Sequence, residues 1–464
     1  MQLKIDYNNM MDNAIGEQGV APMQLNSDLP RMKNALEKVV TNRGKGWQEW
    51  TELPFTAESE LSAIIKDGEE IRKKADSFVI LGIGGSALGP LSVMAALLHF
   101  RHNELPREVR KAPKYYIEDN VDPERMRALL DVIDLKTAYF NVITKSGETS
   151  ETLAQFLILY NALKSVLGVQ EAKNRILVTT TIGKGAAYEI AKKEGFKVYG
   201  VGQGVGGRFS VLSAVGLVPF AALGIDIRAL LKGAAEMSEA CTQDDIKTNP
   251  ALMTAYLQVK SMEKGKNISV MMPYSDGLKY MADFYCQLWG ESLGKAVDCD
   301  GKSVFCGQTP AKSLGVTDQH SQIQLYTEGP FDKVVTFIGV EKFRKTETIT
   351  NDASIVGCEF LKGRTLNELL SCEQHATTFA LTKAKRSNFT ITLPELSAKA
   401  IGELLMYFMY QTAFAGALLN IDAYNQPGVE EGKKATFALM GRAGYEEKMK
   451  ELNAVRKNPD YLIG

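Results

Sequence analysis

The chain has 464 residues, enough for two or three domains. Hydrophobic residues make up 45% and charged residues 23%, which excludes a disordered chain, a collagen-like fibre and a coiled-coil rod. Lysine plus arginine number 54 against 55 acidic residues, so no global field favours a polyanion, and nucleic acid is not an expected partner.

The first 60 residues show no long buried strand; Trp47, Trp50 and Pro54 sit among polar residues, as in helix with loop. An apolar run, Ser77 to Leu81, ends in glycines and predicts a buried parallel strand. Further strands are expected over Lys114 to Glu118, Thr137 to Thr144, Arg175 to Thr181 and Phe196 to Val201. Between them lie helices. Asp122-Pro123 opens one as N-cap and first helical residue. Another spans Ser150 to Val166, with Leu153, Phe156, Leu157 and Tyr160 on its apolar stripe.

The alternation resumes with strands at Asn267 to Met272, Lys333 to Val340 and Phe389 to Leu393. Helices are predicted over Asp276 to Leu293, Arg364 to Lys385 and Glu395 to Leu419. The expected fold is α/β: two domains, each a mainly parallel sheet between helices. Their boundary falls between Ile225 and Asn267, and a helix or arm follows Asn425. The most apolar stretch, Ala214 to Ile227, is too short to span a membrane. The amino terminus does not read as an apolar leader, and six cysteines without a C-x-x-C pair suggest free thiols in a reducing compartment. A cytoplasmic protein is expected.

Six segments could carry chemistry. Gly82-Ile83-Gly84-Gly85-Ser86-Ala87 joins a strand to a helix, where backbone N–H groups can meet an anion. It also fits a loose dinucleotide pattern, but the acidic residue ending the next strand, Glu118, lies roughly 34 positions beyond Gly84 instead of about 20. A structural tight turn is the third reading. Thr144-Lys145-Ser146-Gly147-Glu148-Thr149-Ser150-Glu151-Thr152 supplies five hydroxyls and a lysine where a helix opens. Capping by Ser146 or Thr149 explains one or two hydroxyls; a phosphate monoester explains the set. The nucleotide-triphosphate loop pattern is missing.

Arg208, at the exit of Gly204-Val205-Gly206-Gly207, is either a surface residue in a glycine turn or a stabiliser of a developing oxyanion. Glu291 follows the apolar run through Met281, Phe284, Tyr285 and Leu288; it is either a solvated helix-end residue or a general base. The four histidines lack metal-site spacing; His99 and His102 read as surface residues. His320, after a glycine-containing loop, suits proton transfer, with a solvated histidine as the plainer alternative. In Asn425-Gln426-Pro427-Gly428-Val429-Glu430-Glu431-Gly432-Lys433-Lys434, a turn and a helix start account for all but the lysines.

Together these segments, in order from about Val79 to Lys433, resemble the phosphoglucose isomerase family. Gly82 to Ser86 with the hydroxyl turn, Val205 to Ser210 and Asn425 to Lys433 carry the likeness, and the length is similar to compact bacterial members. The resemblance implies two sugar-isomerase (SIS) domains at 61–230 and 231–430, a helical segment at 1–60 and a C-terminal arm at 431–464. It implies interconversion of glucose 6-phosphate and fructose 6-phosphate by a homodimer, with no cofactor and no metal.

By the same likeness, Glu291 is the C2–C1 base and Arg208 steadies the enediolate. His320, supplied by the neighbouring subunit, and Lys433 open the ring. Gly85, Ser86, Thr144, Lys145, Ser146, Thr149 and Thr152 bind phosphate, and Gln426 contacts substrate. Thr144 and Ser146 exchange the family's more usual serine and threonine, and the residues before Gln319-His320 depart from its Gly-Thr arrangement. A noncatalytic sugar-phosphate sensor and a dinucleotide oxidoreductase are the alternatives.

Overall fold

A computed structural model describes residues 2–352 and 354–463. Its strands are β1 (Lys4–Asp6), β2 (Ser77–Leu81), β3 (Lys114–Glu118), β4 (Ala138–Ile143), β5 (Ile176–Thr180), β6 (Lys197–Gly200), β7 (Ile268–Pro273), β8 (Lys295–Val297), β9 (Ser303–Cys306), β10 (Thr309–Lys312), β11 (Lys333–Lys342) and β12 (Asn388–Glu395). One sheet runs β3-β2-β4-β5-β6 and a second runs β1-β12-β11-β7-β10, while β8 and β9 form a hairpin.

Every pair in the first sheet is parallel. Its strands β2, β4 and β5 are buried at every residue, as a sheet covered on both faces requires. In the second sheet only β1 runs antiparallel, on β12. Both sheets lie in one compact unit ending at Ala423; Tyr424–Gly464 forms a second unit.

The Ser150–Lys173 helix covers the first sheet. Phe156, Leu159, Tyr160, Leu163 and Ala172 are its buried side chains in that core. Leu157 corrects the expected stripe: it is 52% exposed, because i, i+3, i+4 and i+7 counted from Phe156 skip it. This helix is long and apolar enough to cross a membrane by length and composition, yet it breaks at Gly168, where φ is 74°. Asp122 caps its helix as expected, accepting from the backbone N–H groups of Glu124 and Arg125.

The second half is organised around Ala398–Leu418, nearly all of whose residues are buried. The helices Ile227–Cys241 and Pro250–Glu263 pack on it. The apolar stretch near Ala214 is a short buried helix, Ala214–Ala222, capped by Ser213.

Three features differ from expectation. The N-terminal segment contributes strand β1. His102 is buried, its Nε2 2.9 Å from the Pro113 carbonyl oxygen. Strand β10 is hidden in sequence by Pro310, which an edge strand tolerates because one side needs no donor. All six cysteines are free.

Candidate active site

In the first sheet, β3 lies on one side of β2 and β4 on the other, so the strand order reverses between β2 and β4. Ligands of open parallel sheets settle at the carboxyl ends of strands flanking such a point. The Gly82–Ser86 turn follows β2 and the hydroxyl turn follows β4. The two turns adjoin: a Cβ on Gly82 would lie 3.3 Å from the Ile143 carbonyl oxygen.

Gly84 has φ of +56°, and a Cβ there would stand 3.0 Å from Gln287 Nε2. A Cβ on Gly85 would stand 2.1 Å from the Gly207 carbonyl oxygen, which no side chain permits. Glycine is therefore required for two protein segments to touch: the turn is wedged between the Gly204–Ser210 loop and the Lys279–Leu293 helix. Ser86 is half-buried within it. Glu118, the residue a dinucleotide site would use, is buried and pairs with Arg125 Nε at 2.9 Å.

In the hydroxyl turn, Thr144 and Thr149 Oγ1 atoms share a hydrogen bond of 2.8 Å. Thr149 has the backbone position of an N-cap, but its side chain makes no capping bond. Ser146 Oγ accepts from the Glu148 N–H at 3.2 Å, an internal turn bond. Thr152 is buried, and its Oγ1 has no hydrogen-bond partner among the described residues. Capping therefore does not account for these hydroxyls. Lys145 Nζ lies 4.4 Å from the centre of the Trp47 ring. Burial pushes the Lys145 ammonium below the ordinary lysine range, with Glu49 opposing and Lys184 adding to the fall.

Arg208 is buried, so the surface reading fails. Its Nε donates to Ser292 Oγ at 2.7 Å and its Nη2 to the Ala423 carbonyl at 2.6 Å. Nη1 lies 3.6 Å from Glu291 Oε2. Gln287, one turn earlier on the same helix, donates from Nε2 to that oxygen at 3.2 Å. The Glu291 side chain is 26% exposed, held from behind yet open on one side. The structure thus gathers Gly85, Ser86, Arg208 and Glu291, with the Thr144–Thr152 turn alongside.

His320 ends the short turn Thr317–His320 and is exposed. Its neighbour Gln319 accepts from Tyr274 at 2.6 Å and donates to Glu373 at 2.8 Å, which fixes that turn. His320 stands outside the hydrogen-bond network of Arg208 and Glu291. Lys433 and Gln426 belong to the C-terminal unit. There Lys433 Nζ pairs with Glu430 at 2.8 Å, on the helix Glu430–Leu439, and Gln426 immediately precedes the turn Pro427–Val429.

Sequence reasoning passed over Gln287, Ser292, Lys295, Trp47 and Glu49. Gln287 was signalled by its i−4 spacing from Glu291. Trp47 stood out as a large apolar residue in a polar stretch. Glu49 accepts from the Gly204 N–H at 2.9 Å, a contact between distant segments that no local pattern announces. Among the described residues, no group of three His, Cys, Asp or Glu side chains could hold a metal ion.

Two mainly parallel sheets, with a glycine turn and a hydroxyl turn at the switch point of the first, define an α/β fold of the SIS type. The chain belongs to the phosphoglucose isomerase family, which its sequence matches over residues 60–457. It is 48% identical, over all 464 residues and the full length of both chains, to a glucose-6-phosphate isomerase of Carboxydothermus hydrogenoformans. A hypothetical protein from Thermus thermophilus superposes with a TM-score of 0.85 at 33% identity, covering 95% of this chain and 100% of that one. A glucose-6-phosphate isomerase from Chlamydia trachomatis shares the fold, with a TM-score of 0.80 at 21% identity over 94% and 90% of the two chains.

Proposed function

We infer that this protein interconverts glucose 6-phosphate and fructose 6-phosphate, a step of glycolysis and gluconeogenesis. The observation that carries this reading is the Glu291 carboxylate beside the buried Arg208 guanidinium, with the hydroxyl turn nearby. Aldose–ketose exchange needs an open-chain sugar, a base and a stabiliser of negative charge. Glu291 takes the proton from C2 and returns it to C1 while the O2 hydroxyl proton passes to O1, so no atom is gained or lost. Arg208 faces the enediolate oxygen that forms between those steps. Its charge is already desolvated and fixed by Ser292 and Ala423, so little reorganisation is needed as charge develops.

Thr144, Lys145, Ser146, Thr149 and Thr152, with the backbone at Gly85 and Ser86, hold the phosphate. That nonreacting end supplies binding energy that orients C1 and C2. The unpartnered Thr152 hydroxyl supports this assignment. His320 and Lys433 pass protons between the ring oxygen and O1, and Gln426 contacts the sugar. The exposure of His320 suits delivery to a second subunit, and a cytoplasmic homodimer is the proposed assembly. The working domain division is 61–230 and 231–430, flanked by the segments 1–60 and 431–464.

A coupled assay of the purified protein tests the reading: glucose 6-phosphate should yield fructose 6-phosphate without added cofactor. Binding of the sugar phosphate without turnover would instead indicate a sensor. Tight NAD or NADP binding with no isomerisation would indicate an oxidoreductase.

A further inference from the structure

We propose that Lys295 is a positioning residue for the isomerisation, fixing the last turn of the Glu291 helix and so the mutual setting of Glu291 and Arg208. This rests on the isomerase reading above.

A helix ends with carbonyls that lack intrahelical partners. In the Lys279–Leu293 helix the Gly290 carbonyl accepts from the Gly294 N–H at 3.0 Å. The next two are met by one side chain: Lys295 Nζ donates to the Glu291 carbonyl at 2.9 Å and to the Ser292 carbonyl at 2.7 Å. The last faces the Cys306 thiol, 3.6 Å from the Leu293 oxygen. Lys295 opens β8, where it pairs with Cys306 of β9, so the hairpin returns both groups to the helix end.

The residues braced in this way are the two the reaction relies on. Glu291 carries the carboxylate, and Ser292 holds the Arg208 guanidinium through its hydroxyl. A carboxylate at a helix C-terminus sits at the negative end of the macrodipole. The Lys295 ammonium offsets that field from behind, beyond what a neutral donor would do. Lys295 is buried, and burial pushes it down to about 8. Arg208 pushes the same way, while Asp422, Glu291 and Cys306 oppose. Its charge is therefore lost as pH rises through the mildly alkaline range.

The test measures kcat and KM from pH 6 to 9.5 for wild type, Lys295→Met and Lys295→Arg, with thermal midpoints alongside. Lys295→Met should lose about 10–100-fold in kcat with KM changed less than about 3-fold. Wild type should show an alkaline fall near pH 8, the Lys295→Met profile should lack it, and Lys295→Arg should keep activity with that fall moved upward. Unchanged kcat in Lys295→Met, or a loss with a wild-type pH profile, would overturn the proposal. If Lys295→Met does not fold, an unmoved alkaline limb in Lys295→Arg overturns it equally. A wild-type protein without isomerase activity overturns both readings; an active wild type with an indifferent Lys295 overturns only this one.

Discussion

The Arg208 guanidinium lies 3.6 Å from the Glu291 carboxylate and donates to Ser292, the very next residue of the helix that carries Glu291. The cation, from a separate loop, is thus tied to the turn that carries the carboxylate, and relative movement between them requires that hydrogen bond to break or that helix turn to distort. The separation exceeds a good hydrogen bond, which leaves the carboxylate free to engage a proton on carbon.

Glu291→Gln keeps the shape and removes the base. Turnover should fall by about 10²–10⁴-fold, the usual contribution of a positioned general base. Affinity for the sugar phosphate should change little, because the phosphate turn is untouched. Steady-state assays with equilibrium binding check both halves, and near-normal turnover would show that the base lies elsewhere.

Two neighbouring glycines should behave oppositely. Gly85→Ala would place a methyl group 2.1 Å from the Gly207 carbonyl, forcing two backbones apart. A loss of about 1–3 kcal/mol in unfolding free energy is expected, with reduced activity. Gly207→Ala meets no atom within 4 Å, and its stability should stay within about 0.5 kcal/mol of wild type. Denaturant titrations of the pair decide this, and equal costs would contradict the packing argument.

Trp47 offers an optical readout. Trp50 and Trp289 are fully buried, whereas Trp47 is 48% exposed with Lys145 above its ring. Sugar-phosphate binding should change tryptophan emission, and Trp47→Phe should remove most of that change. Trp47→Ala should raise KM by about 2–5-fold, matching the loss of a partly exposed cation–π contact. An unaltered binding signal in Trp47→Phe would place the phosphate away from Lys145.

Lys266 predicts a pH effect on stability. It is 1% exposed and donates to the Gln18 carbonyl at 2.6 Å and to Ser387 Oγ. Burial, with Lys264 and Arg386 nearby, pushes it down to about 8. Its folded value thus lies below the unfolded value of about 10.4. Between those values the unfolded chain binds more protons at this residue, so the contribution of Lys266 to stability should grow as pH climbs from 8 towards 10, by up to about 3 kcal/mol. Lys295 acts in the same direction. The buried Cys241 and Cys286 thiols, and at higher pH the Tyr285, Tyr407 and Tyr410 phenols, act against it, because burial keeps them protonated in the folded state. The Lys266 contribution is therefore read as a difference: between pH 7.5 and 9.5 the urea midpoint of wild type should gain on that of Lys266→Met. An identical pH response in the two proteins would refute the argument.

Where the sequence was legible, the signal was local. β2 falls on its predicted limits because a fully buried parallel strand is a bare apolar run between breakers, and β3, a half-buried edge strand, because its tyrosines and isoleucine favour a pleated surface. Arg208 and Glu291 were legible as candidates, but the contact joining them was not, since it links a loop and a helix far apart in the chain. Leu157 misled because a helix stripe has a phase that one apolar residue cannot fix. β10 was masked by its proline, and His102 by the charged residues around it. The link from Trp47 to Lys145 is a tertiary contact with no periodic trace.

The backbone N–H of Leu3 donates to the Glu403 carboxylate, a partner 400 positions away, and β1 pairs with β12 beside it. During synthesis the first sheet has all its strands once β6 has left the ribosome, but β1 must wait for β12 and Glu403. At ~5–20 residues per second that delay is roughly 20–80 s. Through that interval the β1 segment is open to chaperones and proteases.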